Sequence, residues 1–353
     1  MTEDDATTTN SRQLMTETAI EQQEAILDGL QGYLRNAWES SGVEVTELTE
    51  FGDGHSGHTF TVEIAGDRRG GRHVLRLSPP GVSISGPADV GRQGRIMAAL
   101  AAKGLPAPAV LAESSEPVID RRAFALMEKV EGTPWGVYAE RYGHARVAES
   151  AIAALKSIQQ LPVDHSGIPA ESAYSPVQEI ERWLPLLERS PESARNLGNT
   201  LLGSLMSSAD ERSAPTAPVL VHGDFHYGNL LFGSDGVRAV LDWEIASLGH
   251  PLTDLACLAV ASMRHRYAPD PNPTGSVDIA LSELLEKYGA DPYFACWHIA
   301  SSCLKYAAII GYNLQLHRRG KKIDPIYESL QWTMQMLLLD GQSILKRGVN
   351  GIS

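Results

Sequence analysis

Between residues 218 and 254 the chain reads PVLVHGDFHYGNLLFGSDGVRAVLDWEIASLGHPLTD, and no other stretch limits its fold so tightly. The apolar run Val219–Val221 leads into a polar loop carrying His222, Asp224, His226 and Asn229, followed by the apolar Leu230–Phe232. Gly233, Ser234, Asp235 and Gly236 have hairpin-turn chemistry, because Gly and Asp tolerate the left-handed conformations such turns need. Val237–Leu241 then reads as a return strand ending at Asp242. A strand–loop–strand–turn–strand of this kind brings Asp224, Asn229 and Asp242 to one end of a hairpin. There, one carboxylate can take a proton from a hydroxyl. The Asn and the other Asp offer hard oxygen ligands of the kind magnesium prefers, with room left for phosphates and water. Any one of these residues alone would be explained by a polar loop capping a hairpin. Their joint pattern points to phosphoryl transfer.

The spacing His-x-Asp with Asn five residues on matches the catalytic loop of phosphoryl-transfer enzymes with a kinase-type fold. The segments HGDFHYGNLLF and LDWEIASLGHPLTDLA resemble the aminoglycoside phosphotransferase-type kinases. Within that family they most resemble the kinase-like module that some proteins carry fused to acyl-CoA dehydrogenases. The resemblance runs from about residue 45 to about residue 335. It implies an α+β, protein-kinase-like two-lobed fold, with a small β-rich N-lobe over residues 19–128 and a larger, mainly helical C-lobe over 129–348. It also implies roles: Asp224 as base or hydroxyl-orienting group, and Asn229 and Asp242 as holders of Mg2+. His222 would fix the loop through hydrogen bonds, and Asp254 would tie down the loop backbone unless it simply caps a helix. His226 either orients substrate or only occupies the loop, and Glu244 could reach magnesium through water. His250 stands where relatives usually carry an acidic residue.

Gly52, Gly54 and Gly57 fit G-x-G-x-x-G, which would suit a dinucleotide enzyme if a helix came next. The next segment, Thr59–Ile64, is instead an alternating β-branched run and therefore a strand. Strand, glycine loop, strand is the lid that kinases fold over nucleotide phosphates. By resemblance, GHSGHTF places Gly54, Ser56 and Gly57 at the nucleotide. The strand after it, His73–Leu77, carries Arg76 where kinases carry a phosphate-binding lysine, and arginine can grip a phosphate with two donors. On the helix expected over Val90–Ala101, Gln93 stands where kinases place the glutamate that pairs with that lysine. Phe124–Met127 should be the strand leading to the hinge, whose backbone at Glu128 and Val130 would bond an adenine edge.

Helices dominate the rest of the chain. One is expected over Ile20–Trp38, before the glycine loop, from three- and four-residue apolar spacing. Others are expected over residues 180–189, 197–207, 255–263, 295–315 and 326–345, with a loop at 162–176. Residues 1–18 have almost nothing apolar to bury, so a disordered tail is expected there.

A formal charge of -13 argues against a nucleic-acid or anionic-membrane partner, which would need basic surface. The three cysteines, Cys257, Cys296 and Cys303, fit buried thiols in a reducing, cytoplasmic setting.

The expected activity is therefore a small-molecule kinase using ATP or GTP with magnesium, acting on an unidentified hydroxylated small molecule. A nucleotide-binding scaffold without useful catalysis, and an aminoglycoside or other antibiotic phosphotransferase, remain as alternatives. The helix region 295–318 contains no acidic residue but includes Lys305 and Arg318. That favours a neutral or acidic acceptor, an acyl-like one among them, near Trp297, Lys305 and Tyr312, residues that would serve a helical core equally well.

Overall fold

The computed structural model describes residues 21–50, 58–168, 172–214, 216–267 and 276–351. The expected tail at 1–18 and the glycine loop with Gly54, Ser56 and Gly57 lie outside the described residues. The chain divides into two compact units, one ending at Ala102 and resuming over Ala107–Val130, the other comprising Lys103–Pro106 and everything from Glu131 onward.

The first unit begins with helix α1 over residues 21–37. It continues through β1 (Glu44–Glu50), β2 (His58–Ala65), β3 (Gly71–Leu77), α2 (Val90–Ala101), β4 (Val110–Ile119) and β5 (Arg122–Glu128). The strands form one sheet in the order β1-β2-β3-β5-β4, with every neighbouring pair antiparallel. Period-two alternation divides its faces. Leu75 and Leu77 of β3 pack with Phe124 and Leu126 of β5 against Ile26, Leu30 and Leu34 of α1. Arg76 therefore points to the opposite face, paired across the sheet with Ala125.

Helix α2 covers that second face, and its glycines are what let it approach. A Cβ on Gly94 would stand 3.2 Å from the Cβ of Ala125, and one on Gly91 would stand 2.3 Å from the backbone of Ser114. Asp89 caps the helix by accepting the amide of Arg92 at 2.8 Å.

The second unit is mainly helical. Its elements are β6 (Thr133–Pro134), α3 (Trp135–Tyr142), α4 (His144–Gln159), α5 (Pro176–Glu181), α6 (Leu184–Glu188), α7 (Glu192–Ser207) and α8 (Ala209–Arg212). Then come β7 (Val219–Val221), β8 (Leu230–Gly233), β9 (Gly236–Val240), β10 (Ser247–Gly249), α9 (Leu252–Ser262), α10 (Leu281–Tyr288), α11 (Pro292–Arg318), α12 (Ile326–Ser329) and α13 (Gln331–Arg347). Helix α9 is buried along its whole length and is apolar except at Thr253, Asp254 and Ser262. Helix α11 packs against α9, α7 and α13. Its start is set by Asp291, whose side chain accepts the amide of Tyr293, with Pro292 in the first turn where no amide donor is needed.

Local chemistry corrects two of the expected helices. The helix expected over 180–189 is two short ones, and the first starts earlier. Ser175 and Gln178 form a reciprocal capping box that opens α5 at Pro176, inside the expected loop. Pro185, which has no amide hydrogen to give, restarts the chain as α6. The helix expected over 326–345 is likewise interrupted, at Leu330. Strand β10 has no counterpart among the expected elements. It exists because Ser247–Gly249 pairs antiparallel with β7.

Candidate active site

Strands β8 and β9 form the hairpin read from the sequence, with Gly233 opposite Gly236 across a two-residue turn and Leu230 opposite Val240. The ladder continues one step beyond the strands, where the Leu241 amide donates to the Asn229 carbonyl at 2.8 Å. Asn229 and Asp242 therefore stand at the same end. Asp242 adopts a φ of 65°, a left-handed conformation uncommon outside glycine. Just beyond it, the fully buried Trp243 donates its indole N–H to the Val240 carbonyl at 2.9 Å and lies against the His222 ring. That anchor fixes the end of the strand.

The loop from β7 to β8 is held both through its backbone and through its side chains. Asp254, at the start of α9 and fully buried, accepts the His222 amide at 2.7 Å and the Gly223 amide at 2.8 Å. Burial pushes the Asp254 pKa up, while the bonds from the two amides and the Lys305 charge pull it partly back. His222 is also fully buried. Its Nδ1 accepts the Asp224 amide at 3.1 Å, so the ring proton sits on Nε2 and is donated to the Leu241 carbonyl at 2.7 Å. Gly223 has a φ of 85°. Its carbonyl receives Lys305 Nζ at 2.5 Å and the Cys257 thiol at 3.4 Å.

Asp224 is half-buried, and both of its carboxylate oxygens have neighbours. The Tyr306 hydroxyl donates to Oδ1 at 2.6 Å, and His226 Nε2 lies 3.4 Å from Oδ2. Burial alone would raise the Asp224 pKa. The His226 contact, the Lys305 charge and the Tyr306 hydrogen bond outweigh it and hold the carboxyl well below the usual range. The Asn229 side-chain amide donates to the Asp224 carbonyl at 3.0 Å. With its nitrogen so committed, Asn229 has its side-chain oxygen left for a metal. Among the described residues no group of three or more His, Cys, Asp or Glu could hold a metal ion. One amide oxygen and one carboxylate instead suit magnesium, which keeps waters and phosphate oxygens as its remaining ligands.

Of the three residues named for the acceptor region, Tyr312 is half-buried on α11, while Trp297 and Lys305 have core roles. Trp297 is fully buried and donates to the Leu205 carbonyl at 3.0 Å, a core contact. Lys305 is buried beneath the loop, bonded to Gly223 and to Cys257 Sγ at 2.9 Å. Lys305, Tyr306 and Cys257 are parts of the site that the loop sequence does not announce. The one signal is that Lys305 is the only Lys, Arg, Asp or Glu between Ala295 and His317, as burial there demands a partner. His250 also finds a structural role. Its Nδ1 accepts the Leu252 amide at 3.1 Å, its Nε2 meets the Ala214 carbonyl at 2.6 Å, and its ring stacks on His298 at 4.2 Å.

In the first unit, Arg76 lies on β3 and Glu128 ends β5, where its amide and carboxylate both bond Ala109. Val130 follows in no regular element. Gln93 does not hydrogen-bond Arg76: its Nε2 donates to the Pro87 carbonyl at 2.9 Å, and its buried oxygen has no partner among the described residues.

The phosphotransferase enzyme family model matches residues 47–288. Among curated proteins, acyl-CoA dehydrogenase family member 11 of Mus musculus is 27% identical over 317 residues, 83% of this chain and 39% of that protein. Mouse acyl-CoA dehydrogenase family member 10 is 29% identical over 243 residues, 66% of this chain and 22% of that protein. The chain thus spans well under half the length of these relatives. Among solved structures, a candidate aminoglycoside phosphotransferase of Ralstonia eutropha superposes with a TM-score of 0.66 at 23% identity, covering 91% of this chain and 98% of that one. Aminoglycoside phosphotransferase APH(4)-Ia, solved with ADP and hygromycin B, gives a TM-score of 0.60 at 16% identity, covering 92% and 98%. At these identities the likeness shows the fold, which is kinase-like.

Proposed function

The chain belongs to the phosphotransferase enzyme family, and from that premise we propose that it transfers the γ-phosphoryl group of ATP or GTP to a hydroxyl of a small molecule. The observation that carries this reading is the convergence of Asp224, Asn229 and Asp242 on one end of the β8–β9 hairpin, with the Asn229 amide tied to the Asp224 backbone at 3.0 Å. Phosphoryl transfer needs in-line positioning, neutralised phosphates and an acceptor for the hydroxyl proton. Asp224 orients the acceptor hydroxyl and takes its proton. Asn229 and Asp242 would hold magnesium, which would offset the charge of the phosphates. Arg76 contributes two fixed donors to a phosphate, the backbone at Glu128 and Val130 meets the base, and Gly54, Ser56 and Gly57 belong to the phosphate lid. His222 and Asp254 keep the loop in shape.

Hydroxylated antibiotics suit this reading, since APH(4)-Ia was solved with hygromycin B. So do hydroxylated acyl compounds, given that the curated relatives are named as acyl-CoA dehydrogenases. The test is single-turnover transfer from labelled Mg-ATP to a panel of both classes and to water. Asp224→Asn keeps the shape of the side chain and should lower transfer by roughly 10²–10⁴-fold with nucleotide affinity unchanged. Equal rates for the two proteins would remove the assignment.

A second reading, a nucleotide-binding scaffold, is favoured by Gln93, whose amide is engaged with Pro87 and which, being neutral, cannot offset the charge of Arg76. It requires that the wild type bind Mg-ATP and transfer nothing.

A further inference from the structure

Helix α11 reaches the catalytic loop with two consecutive side chains that grip two consecutive loop residues. Lys305 Nζ donates to the Gly223 carbonyl at 2.5 Å, and the Tyr306 hydroxyl donates to Asp224 Oδ1 at 2.6 Å. The same ammonium lies 4.6 Å from the centroid of the Tyr306 ring. The contact is a cation–π pairing, which ties the two side chains together. Donation to an ionised carboxylate is in turn among the strong hydrogen bonds proteins make. Cys257 Sγ, 2.9 Å from Lys305 Nζ, completes the buried end of this brace.

The two oxygens of Asp224 are therefore not equivalent. Oδ1 accepts a short bond from a rigid aromatic side chain. Oδ2 has His226 Nε2 at 3.4 Å, at the outer limit of a hydrogen bond. His226 Nδ1 accepts the Gly228 amide at 3.1 Å, which leaves its proton on Nε2 facing Asp224.

Resting on the phosphotransferase reading of the site, we infer that Tyr306 is a positioning residue: its hydroxyl fixes the rotamer of Asp224, so that Oδ2 is the oxygen that meets the acceptor. In the transfer step the acceptor oxygen forms a bond to the γ-phosphorus, the bond from that phosphorus to the β–γ bridging oxygen breaks, and the hydroxyl proton passes to Oδ2. The diphosphate leaves with the bridging electron pair. Lys305 acts one step further back by holding the peptide that carries Asp224.

Tyr306→Phe removes only the hydroxyl and keeps the ring against Lys305. Single-turnover transfer from labelled Mg-ATP, to water or to the best acceptor, should fall by roughly 10- to 100-fold, the scale on which small misplacements of a catalytic group act. Mg-ATP affinity should stay within about twofold, which a merely structural defect would not spare. Added to Asp224→Asn, the same change should cost nothing more, because the group it positions is gone. If Asp224→Asn abolishes transfer while Tyr306→Phe leaves it intact, the inference fails and the phosphotransferase reading stands. Should Asp224→Asn itself have no effect, that reading fails and the inference with it. A second measurement does not depend on turnover or on the folding of Tyr306→Phe. With 3-fluorotyrosine incorporated and the Tyr306 resonance assigned, its fluorine signal should shift on Asp224→Asn. An unmoved resonance would overturn the contact.

Discussion

The carboxylate of Asp254 accepts the amide of His222 at 2.7 Å although neither residue has any exposed surface. The relationship joins the first turn of α9 to a loop 32 positions earlier in the chain, and the second oxygen of Asp254 holds Gly223 in the same way. Asp254→Ala would leave both amides buried without an acceptor, at about 1–3 kcal/mol each. The expected result is a markedly lower urea midpoint together with lost phosphate transfer. An unchanged midpoint would show that the loop does not depend on this anchor.

Gly223 is the one loop position where a side chain is excluded on two grounds. Its φ is 85°, and an added Cβ would stand 2.9 Å from the Ile245 carbonyl oxygen. Left-handed backbone costs a residue with a Cβ roughly 1–2 kcal/mol, and relieving the contact must move the peptide that carries Asp224. Gly223→Ala should therefore lower the melting temperature modestly and reduce transfer far more. A variant that melts early but turns over normally would contradict this.

Asp242→Ala should uncouple nucleotide binding from magnesium. Calorimetric titration of wild type and variant with ATP, each with and without Mg2+, gives four affinities. Only wild type with magnesium should bind tightly, because the variant lacks the carboxylate that would hold the ion. Four equal affinities would falsify the metal assignment.

The stacked pair His250 and His298 should make the protein sensitive to acid. Burial, and then the charge of His250, lower the His298 pKa to about 3, and burial lowers that of His250 despite the Ala214 carbonyl. Glu179 and Lys305 line the same recess as His298. In the unfolded chain a histidine titrates near 6.5, so between about 6.5 and about 3 the unfolded state binds more protons. The contribution is complete above about pH 6.5 and declines as pH falls toward 3. Urea midpoints at pH 7, 5.5 and 4 should fall in that order, and less steeply for His298→Gln. Parallel curves for the two proteins would remove the pair as the cause.

Local chemistry made much of this legible. The hairpin, its Gly-Ser-Asp-Gly turn and the shared end of Asn229 and Asp242 follow from a period of two and from turn residues, both of which act between neighbours in the chain. The strand carrying Arg76 and the helix carrying Gln93 obey the same short-range rules. Where expectation failed among the helices, the missing signal was also local: the Ser175–Gln178 capping box and Pro185 are readable once weighed against apolar spacing.

What the sequence by itself determined is that Asp224, Asn229 and Asp242 share one end of a hairpin, because they lie within one short segment whose backbone geometry its own residues dictate. What only the tertiary structure decided is how that segment is held. Asp254 and Cys257 come from α9, and Lys305 and Tyr306 from α11, some 82 positions beyond the loop residues they bond. No periodicity or propensity carries information over that distance. A lysine in a helix reads as surface or acceptor site until packing shows it buried, and burial then demands the partners it has: a carbonyl, a thiol and an aromatic face. The loop between β7 and β8 could be read from its own residues because its chemistry is local. Its rigidity could not, because that is a property of the core beneath it.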